Sequence, residues 1–172
     1  MERLQSDPNI EDAWKNWEIY RDNINKISGL EDLVSTPFIL KMVVEVLPRL
    51  VQKSASQTGF KKLMAVDLYE EFISKWFEQE CEKQVASSMS MKINKQEYME
   101  YAMNLAANMS FYGKTTIDST DQDWREFFDP RDDRTSSTLR GVPLSKIGTS
   151  HSFIHKTVLE YFAALEGRQQ AK

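Results

Sequence analysis

Cysteine is almost absent from this 172-residue sequence, in which Cys81 is the single thiol. One cysteine excludes an intramolecular disulfide framework and is typical of a reducing compartment. No apolar run approaches the ~20 residues that a membrane-spanning helix requires, and the first residues lack the apolar core of a secretory signal. These absences predict a cytoplasmic chain without a membrane span.

Residues suited to catalysis or metal binding are also scarce. Cys81 sits among glutamates, which disfavour the reactive thiolate form of a cysteine. The two histidines, His151 and His155, are four residues apart, but only His155 belongs to a predicted helix, so they do not form a helical metal pair. No nucleophile–base pair, paired acids or cofactor motif occurs. We therefore expect no bound metal and no enzymatic activity of the chain alone.

Acidic residues outnumber basic ones, 26 against 22, which gives a formal net charge of −4. This balance argues against a general affinity for nucleic acid, and the last predicted helix shows no basic face. Aromatic residues are plentiful, with four Trp, six Tyr and nine Phe. A chain of this length can bury roughly 70% of its unfolded surface, so a packed core is predicted without disulfides.

Apolar residues recur at helical spacing along most of the chain. The clearest example starts with Asp67 and Glu70, which predict a capping box at a helix beginning. Leu68, Phe72 and Trp76 belong to the apolar stripe behind it, and charged residues occupy the opposite face. The spacing predicts helices over residues 10–27, 30–34, 37–47, 67–84, 94–112 and 123–128, with a final helix after residue 155.

Two prolines set the expected limits of the third of these helices. Thr36 can cap it, and Pro37 suits its first position because no N–H is needed there. Pro48 is expected to kink or end it, although Leu50 and Val51 could continue the helical pattern beyond a kink. The polar stretch after residue 52 is predicted to be a loop and a subdomain boundary. This boundary divides the chain into a helical subdomain at 1–52 and a second subdomain at 63–172.

The pattern changes beyond residue 128. Residues 129–138 are charged and turn-rich, which predicts irregular structure. The segments 142–147 and 152–154 flank a turn at 148–151 and predict a short β-hairpin, with His151 exposed in the turn. The fold class predicted from sequence is therefore mainly α with one short β-hairpin.

His155 stands where the predicted hairpin leads into the last helix. Backbone N–H groups at a helix start are unpaired and favour an anion, to which an imidazole could also donate a hydrogen bond. A histidine at a helix start can instead satisfy a local backbone group. The residues alone leave both interpretations open.

The run FIHKTVLEYFAA at 153–164 resembles the end of the winged-helix subdomain of NACHT-type (STAND, NOD-like receptor-like) signal-transduction ATPases. That family carries the pattern Phe-x-His-x-Ser/Thr-x-x-Glu-Tyr/Phe-Phe-Ala-Ala there. Residues 33–48 resemble its first helical subdomain, 66–76 resemble the first winged-helix segment, and 139–144 resemble the wing. The resemblance implies a helical bundle followed by a winged-helix-like unit.

The resemblance also implies roles for particular residues. His155 would contact the β-phosphate of ADP, and Pro37 would pack against the adenine. Thr36 and Phe38 would shape the same pocket. The other interpretation of Pro37 is a helix-start proline with no ligand, which explains that residue equally well.

No Gly-x-x-x-x-Gly-Lys-Ser/Thr loop and no strand ending in metal-binding acids occurs in the sequence. The resemblance therefore implies a regulatory lid that binds ADP or ATP only within a longer chain, with an upstream P-loop domain as its partner in cis. It also implies homo-oligomerisation on activation. The alternative is a free-standing helical protein–protein interaction module with no nucleotide role.

Overall fold

The computed structural model describes residue 14 and residues 16–27, 30–34, 36–56, 64–86, 92–129 and 131–170. These residues are mainly helical and include one short β-hairpin, which confirms the predicted fold class. The elements are α1 (Trp17–Ile24), α2 (Leu30–Leu33), α3 (Pro37–Ser56), α4 (Ala65–Ala86), α5 (Lys95–Phe111), α6 (Trp124–Phe128), α7 (Asp133–Gly141), β1 (Leu144–Ile147), β2 (Ser150–Phe153) and α8 (Lys156–Gln170).

The chain divides into two compact units, Met1–Phe72 and Ile73–Lys172, so the division falls inside α4. The subdomain boundary predicted between 52 and 63 stays a prediction, because residues 57–63 lie outside the described part of the chain. The predicted helix at 10–27 is described as α1 together with Trp14. Its other early residues also lie outside the described part.

In the first unit, α3 begins at Pro37 as predicted but continues through Pro48 to Ser56. Of the outcomes predicted for Pro48, the helix end is wrong and the continuation through Leu50 and Val51 is confirmed, while the predicted loop at 52–56 is wrong. Proline has no N–H with which to bond the carbonyl four residues earlier, here that of Val44. The Tyr20 hydroxyl donates to that carbonyl at 3.2 Å instead, which removes much of the cost of the proline.

The helix starting near Asp67 is confirmed, but its first residue is Ala65. The Asp67 carboxylate accepts a hydrogen bond from the Met64 N–H at 2.7 Å. Asp67 is thus the third helical residue, where an acid reaches back to the N-cap, and is not itself the cap.

In the second unit, α5 has the beginning and end that its sequence predicts. Asn94 caps it and forms a full capping box with Glu97. At its other end Gly113, with φ of 64°, donates to Ser110, and Lys114 donates to the Met109 carbonyl at 2.7 Å. This pair of bonds is a Schellman motif, which glycine permits because it adopts positive φ without strain.

The turn-rich segment after residue 128 contains a helix, α7, that the sequence analysis missed. Asp132 caps it by accepting from the Arg134 N–H at 3.0 Å and from the Thr135 hydroxyl at 2.6 Å. Because α7 buries mainly Thr138 and Gly141, it lacks the apolar periodicity by which a helix is predicted.

The predicted hairpin is present, but its turn is shorter than expected. β1 and β2 pair in antiparallel register, with Leu144 opposite Phe153 and Lys146 opposite His151. Only Gly148 and Thr149 lie in the turn, and Gly148 has a φ of 62°. His151 is therefore a strand residue and not a turn residue. The core below the hairpin packs α5 against α8 and buries Phe77, Tyr98, Met103, Leu105, Val158 and Phe162.

Candidate functional site

His155 lies between the end of β2 and the first residue of α8, where the sequence analysis placed it. The half-buried ring bonds locally: its Nδ1 atom accepts from the Thr157 backbone N–H at 3.3 Å. The same atom lies 2.9 Å from the Thr157 hydroxyl oxygen. His155 thus satisfies one of the unpaired N–H groups at the start of α8, as a capping residue does.

This local bond orients the imidazole. A backbone N–H can only donate, so in this bond Nδ1 of His155 accepts, whereas its contact with the Thr157 hydroxyl fits either tautomer. In the neutral ring the proton then resides on Nε2, which makes Nε2 a donor. The two interpretations of His155 from sequence use different ring nitrogens, and local capping by Nδ1 is compatible with an anion on Nε2–H.

The first residues of α8 also contribute to the electrostatic environment of His155. Lys156 is exposed and pairs with Glu160 at 3.2 Å. Helix α8 has 15 residues, so its N-terminal end carries a partial positive charge. The start of α8 can therefore place a histidine donor and a helix dipole beside the same anion.

Thr36, Pro37 and Phe38 lie in the first unit, and His155 lies in the second. Pro37 is exposed at the first position of α3, and the Thr36 carbonyl accepts from the Leu40 N–H at 3.0 Å. Phe38 is half-buried and meets Phe72 edge to face at 5.9 Å. These contacts explain Thr36 and Phe38 as helix-start residues and leave the ring of Pro37 accessible.

His151, expected to be an exposed turn residue, is 7% exposed, and that expectation is wrong. Its ring stacks on Phe128 with centroids 4.5 Å apart and contacts Trp124 at 5.1 Å. Its backbone N–H and carbonyl bond to Ile117 at 2.8 and 2.9 Å, forming a bridge that the sequence did not predict. Its Nδ1 atom is buried without a hydrogen-bond partner within the described residues.

Asp118 fixes this region to the hairpin. Its carboxylate accepts from the Ser150 hydroxyl at 2.6 Å and the Thr149 hydroxyl at 2.8 Å. These two bonds, with others from Thr120, hold the pKa of Asp118 well below its usual range. The Asp-Ser-Thr run at 118–120 is a typical turn signal, but no local signal could identify hydroxyl partners about thirty residues away.

The burial of His151 gives the protein a predicted pH dependence. Burial, with a smaller contribution from the charge of Lys146, lowers the pKa of His151 below 6.5. A group whose folded pKa is depressed contributes stability above its unfolded pKa and loses it as pH falls towards the folded value. We expect the stability to fall as pH drops below about 6.5, with a slope of at most ~1.4 kcal/mol per pH unit.

Urea unfolding of the wild type and of His151→Phe at several pH values measures this slope. Phenylalanine keeps the stacking on Phe128 but cannot take up a proton. The variant should lose less stability than the wild type on acidification. Equal losses would contradict the assignment of the slope to His151.

Among the described residues, no helix combines the length and apolarity needed to cross a membrane. No protein-family model, curated protein or solved structure matches the chain.

Proposed function

We propose that this chain is a regulatory lid of a NACHT-type nucleotide switch, in which His155 donates a hydrogen bond to the β-phosphate of ADP. The observation that carries the proposal is the Nδ1 bond of His155 to Thr157, which leaves the ring proton on Nε2 at the start of α8. The resemblance of residues 153–164 to the family pattern supports the same role.

The family resemblance also gives Pro37 a proposed contact with nucleotide. Its exposed ring at the start of α3 offers an apolar surface to an adenine base, with Thr36 and Phe38 beside it in sequence. The phosphate-binding loop and the metal-binding acids would come from a P-loop domain in the same polypeptide. The lid itself performs no chemistry in this proposal.

Regulation follows from unequal contacts with the two nucleotides. A group favours the ADP-bound state only by as much as it binds ADP better than ATP. In the proposal, His155 stabilises the closed, ADP-bound form. Exchange for ATP breaks the contact and permits self-association.

The test uses the native polypeptide that contains this sequence, captured from its source with an antibody against this segment. We expect it to be several times heavier than 20.0 kDa and to carry ADP, measured by chromatography of the extracted nucleotide. His155→Leu should retain about tenfold less ADP, because a hydrogen bond to a charged group is lost, and should shift the protein to oligomers.

Arg168→Gln is the matched control, since Arg168 is an exposed cation in the last turn of the same helix, at the opposite end from His155. It should retain ADP like the wild type. A native polypeptide without nucleotide, or a His155→Leu protein that keeps ADP and stays monomeric, would overturn the proposal.

The second candidate function is a protein–protein interaction module with no nucleotide role. It is favoured by an aromatic pair at the end of α5, where Phe111 is 83% exposed and meets Tyr112 edge to face at 5.1 Å. An exposed Phe is unusual for a residue type that is mostly buried. Absence of nucleotide from the native polypeptide, together with a stable partner lost in Phe111→Ser, would favour this function.

A further inference from the structure

A groove crosses the surface formed by α5, α6 and α7 in the second unit. Its volume is about 470 Å³, within the range of ~300–1,000 Å³ that is common for ligand sites. It is independent of His155 and of the proposed nucleotide role. The α5–α7 groove is lined by Tyr101, Asn104, Asn108, Glu126, Phe127 and Thr135.

One side of the groove is prearranged by aromatic packing. Tyr101 and Phe127 meet edge to face with centroids 6.1 Å apart. The Tyr101 hydroxyl donates to the Phe127 carbonyl, which fixes the orientation of the ring. Burial raises the pKa of Tyr101, so this hydroxyl stays neutral.

The other side chains that line the groove are polar and can form hydrogen bonds with a bound ligand. Asn104 and Asn108 are one turn apart on α5, and Glu126 is exposed on α6. Within the described part of the chain, the side chains of these three residues form no hydrogen bond or ion pair. The groove therefore presents one carboxylate and two amide groups whose hydrogen-bonding capacity is unused.

Charge and donor chemistry narrow the class of ligand. Among the described residues that line the groove, Glu126 alone is charged, so an anion is disfavoured. The polar lining disfavours an apolar ligand, and one carboxylate is too few for a divalent cation, which needs several oxygen ligands. A cation with several donors is the best match.

We propose that the α5–α7 groove binds an arginine side chain of a partner protein. A guanidinium group is planar, carries five donors and stacks on aromatic rings. The Glu126 carboxylate and the amide oxygens of Asn104 and Asn108 accept hydrogen bonds from the guanidinium group. The Tyr101 ring lines the groove that the arginine side chain enters. The net charge of −4 favours the approach of a basic partner.

The test uses the ¹⁵N-labelled chain and the blocked peptide acetyl-Gly-Arg-Gly-amide. The side-chain amide signals of Asn104 and Asn108 should shift on titration with this peptide. Replacement of arginine by citrulline, which is nearly isosteric but uncharged, should weaken binding by about fivefold or more. The lysine peptide should also bind more weakly, because an ammonium group lacks the planar set of donors.

Glu126→Gln should weaken binding of the arginine peptide by about fivefold. Glu82→Gln is the matched control, because Glu82 is also exposed on a helix of the chain but does not line the groove. It should bind like the wild type. Both substitutions are at exposed positions, so the fold is expected to survive and is checked by the amide spectrum.

Four results would overturn the proposal. They are no shift of the Asn104 and Asn108 signals, equal binding of the arginine and citrulline peptides, equal binding of the lysine peptide, and equal effects of Glu126→Gln and Glu82→Gln. Free L-arginine is the last arm: tighter binding of the free amino acid than of the blocked peptide would assign the groove to a small metabolite and not to a partner protein.

Discussion

Replacing Gly141 by alanine is expected to destabilise the second unit by about 3 kcal/mol, because there is no room for one methyl group. A Cβ at this position would lie 2.7 Å from the Tyr98 hydroxyl oxygen and still closer to two carbons of its ring. Real Cβ atoms essentially never come within 3.0 Å of another heavy atom. The last turn of α7 would have to move away from α5.

Tyr98 cannot relieve this overlap by moving. Its side chain is 2% exposed and stacks on Phe77 at 5.3 Å, and its hydroxyl accepts from Gln84. The Gly141 carbonyl is also held, since it accepts from the Trp76 indole at 2.8 Å. An added methyl group therefore forces apart groups that are fixed on both sides.

Urea unfolding measures the loss, and Gly167→Ala is its matched control. A Cβ at Gly167, on the exposed side of α8, would meet nothing within 4 Å. The control should stabilise the protein by about 0.5–1 kcal/mol, because alanine favours a helix over glycine. Equal effects at the two positions would contradict the close approach of Gly141 and Tyr98.

Replacing Gln84 by methionine is expected to cost about 3 kcal/mol, although the two side chains have similar size. The Gln84 amide oxygen accepts from the Ile93 N–H at 2.7 Å, and its nitrogen donates to the Ile93 carbonyl at 3.2 Å. The same nitrogen donates to the Tyr98 hydroxyl. Methionine would remove both bonds to Ile93: the buried N–H would lose its acceptor, and the carbonyl would keep only the weaker thiol donor of Cys81, at 3.6 Å, among the described residues. An unpaired buried backbone group costs about 1–3 kcal/mol.

Gln79→Met is the control, because Gln79 is an exposed residue of the same helix. Its effect on the free energy of unfolding should stay within about 0.5 kcal/mol. Amide hydrogen exchange gives a second measurement: the Ile93 N–H should exchange faster in Gln84→Met than in the control. Unchanged protection at Ile93 would show that the Gln84 bond does not hold the segment before α5.

Most helices of the described residues were predictable because their signals are local. Pro37 begins α3, Asn94 begins α5, and Gly113 ends α5, each by an effect confined to one helical turn. The position of His155 at the start of α8 was predictable for the same reason. The amphipathic stripe behind Asp67 also placed α4, with an error of two residues at its beginning.

The features that the sequence analysis missed depend on partners far along the chain. Helix α3 passes Pro48 because Tyr20 bonds the carbonyl that the proline leaves free. Helix α7 has almost no apolar stripe, and contacts of Gly141 with Tyr98 and Trp76 place it.

The amino-acid sequence by itself determined the mainly helical class, the hairpin and the place of His155, since period, caps and turn residues act over a few positions. Only the tertiary structure decided that His151 is buried against Trp124 and Phe128, and that α5, α6 and α7 form a groove around Glu126. Burial and the convergence of side chains depend on which segments pack together, and local sequence preferences do not specify that packing.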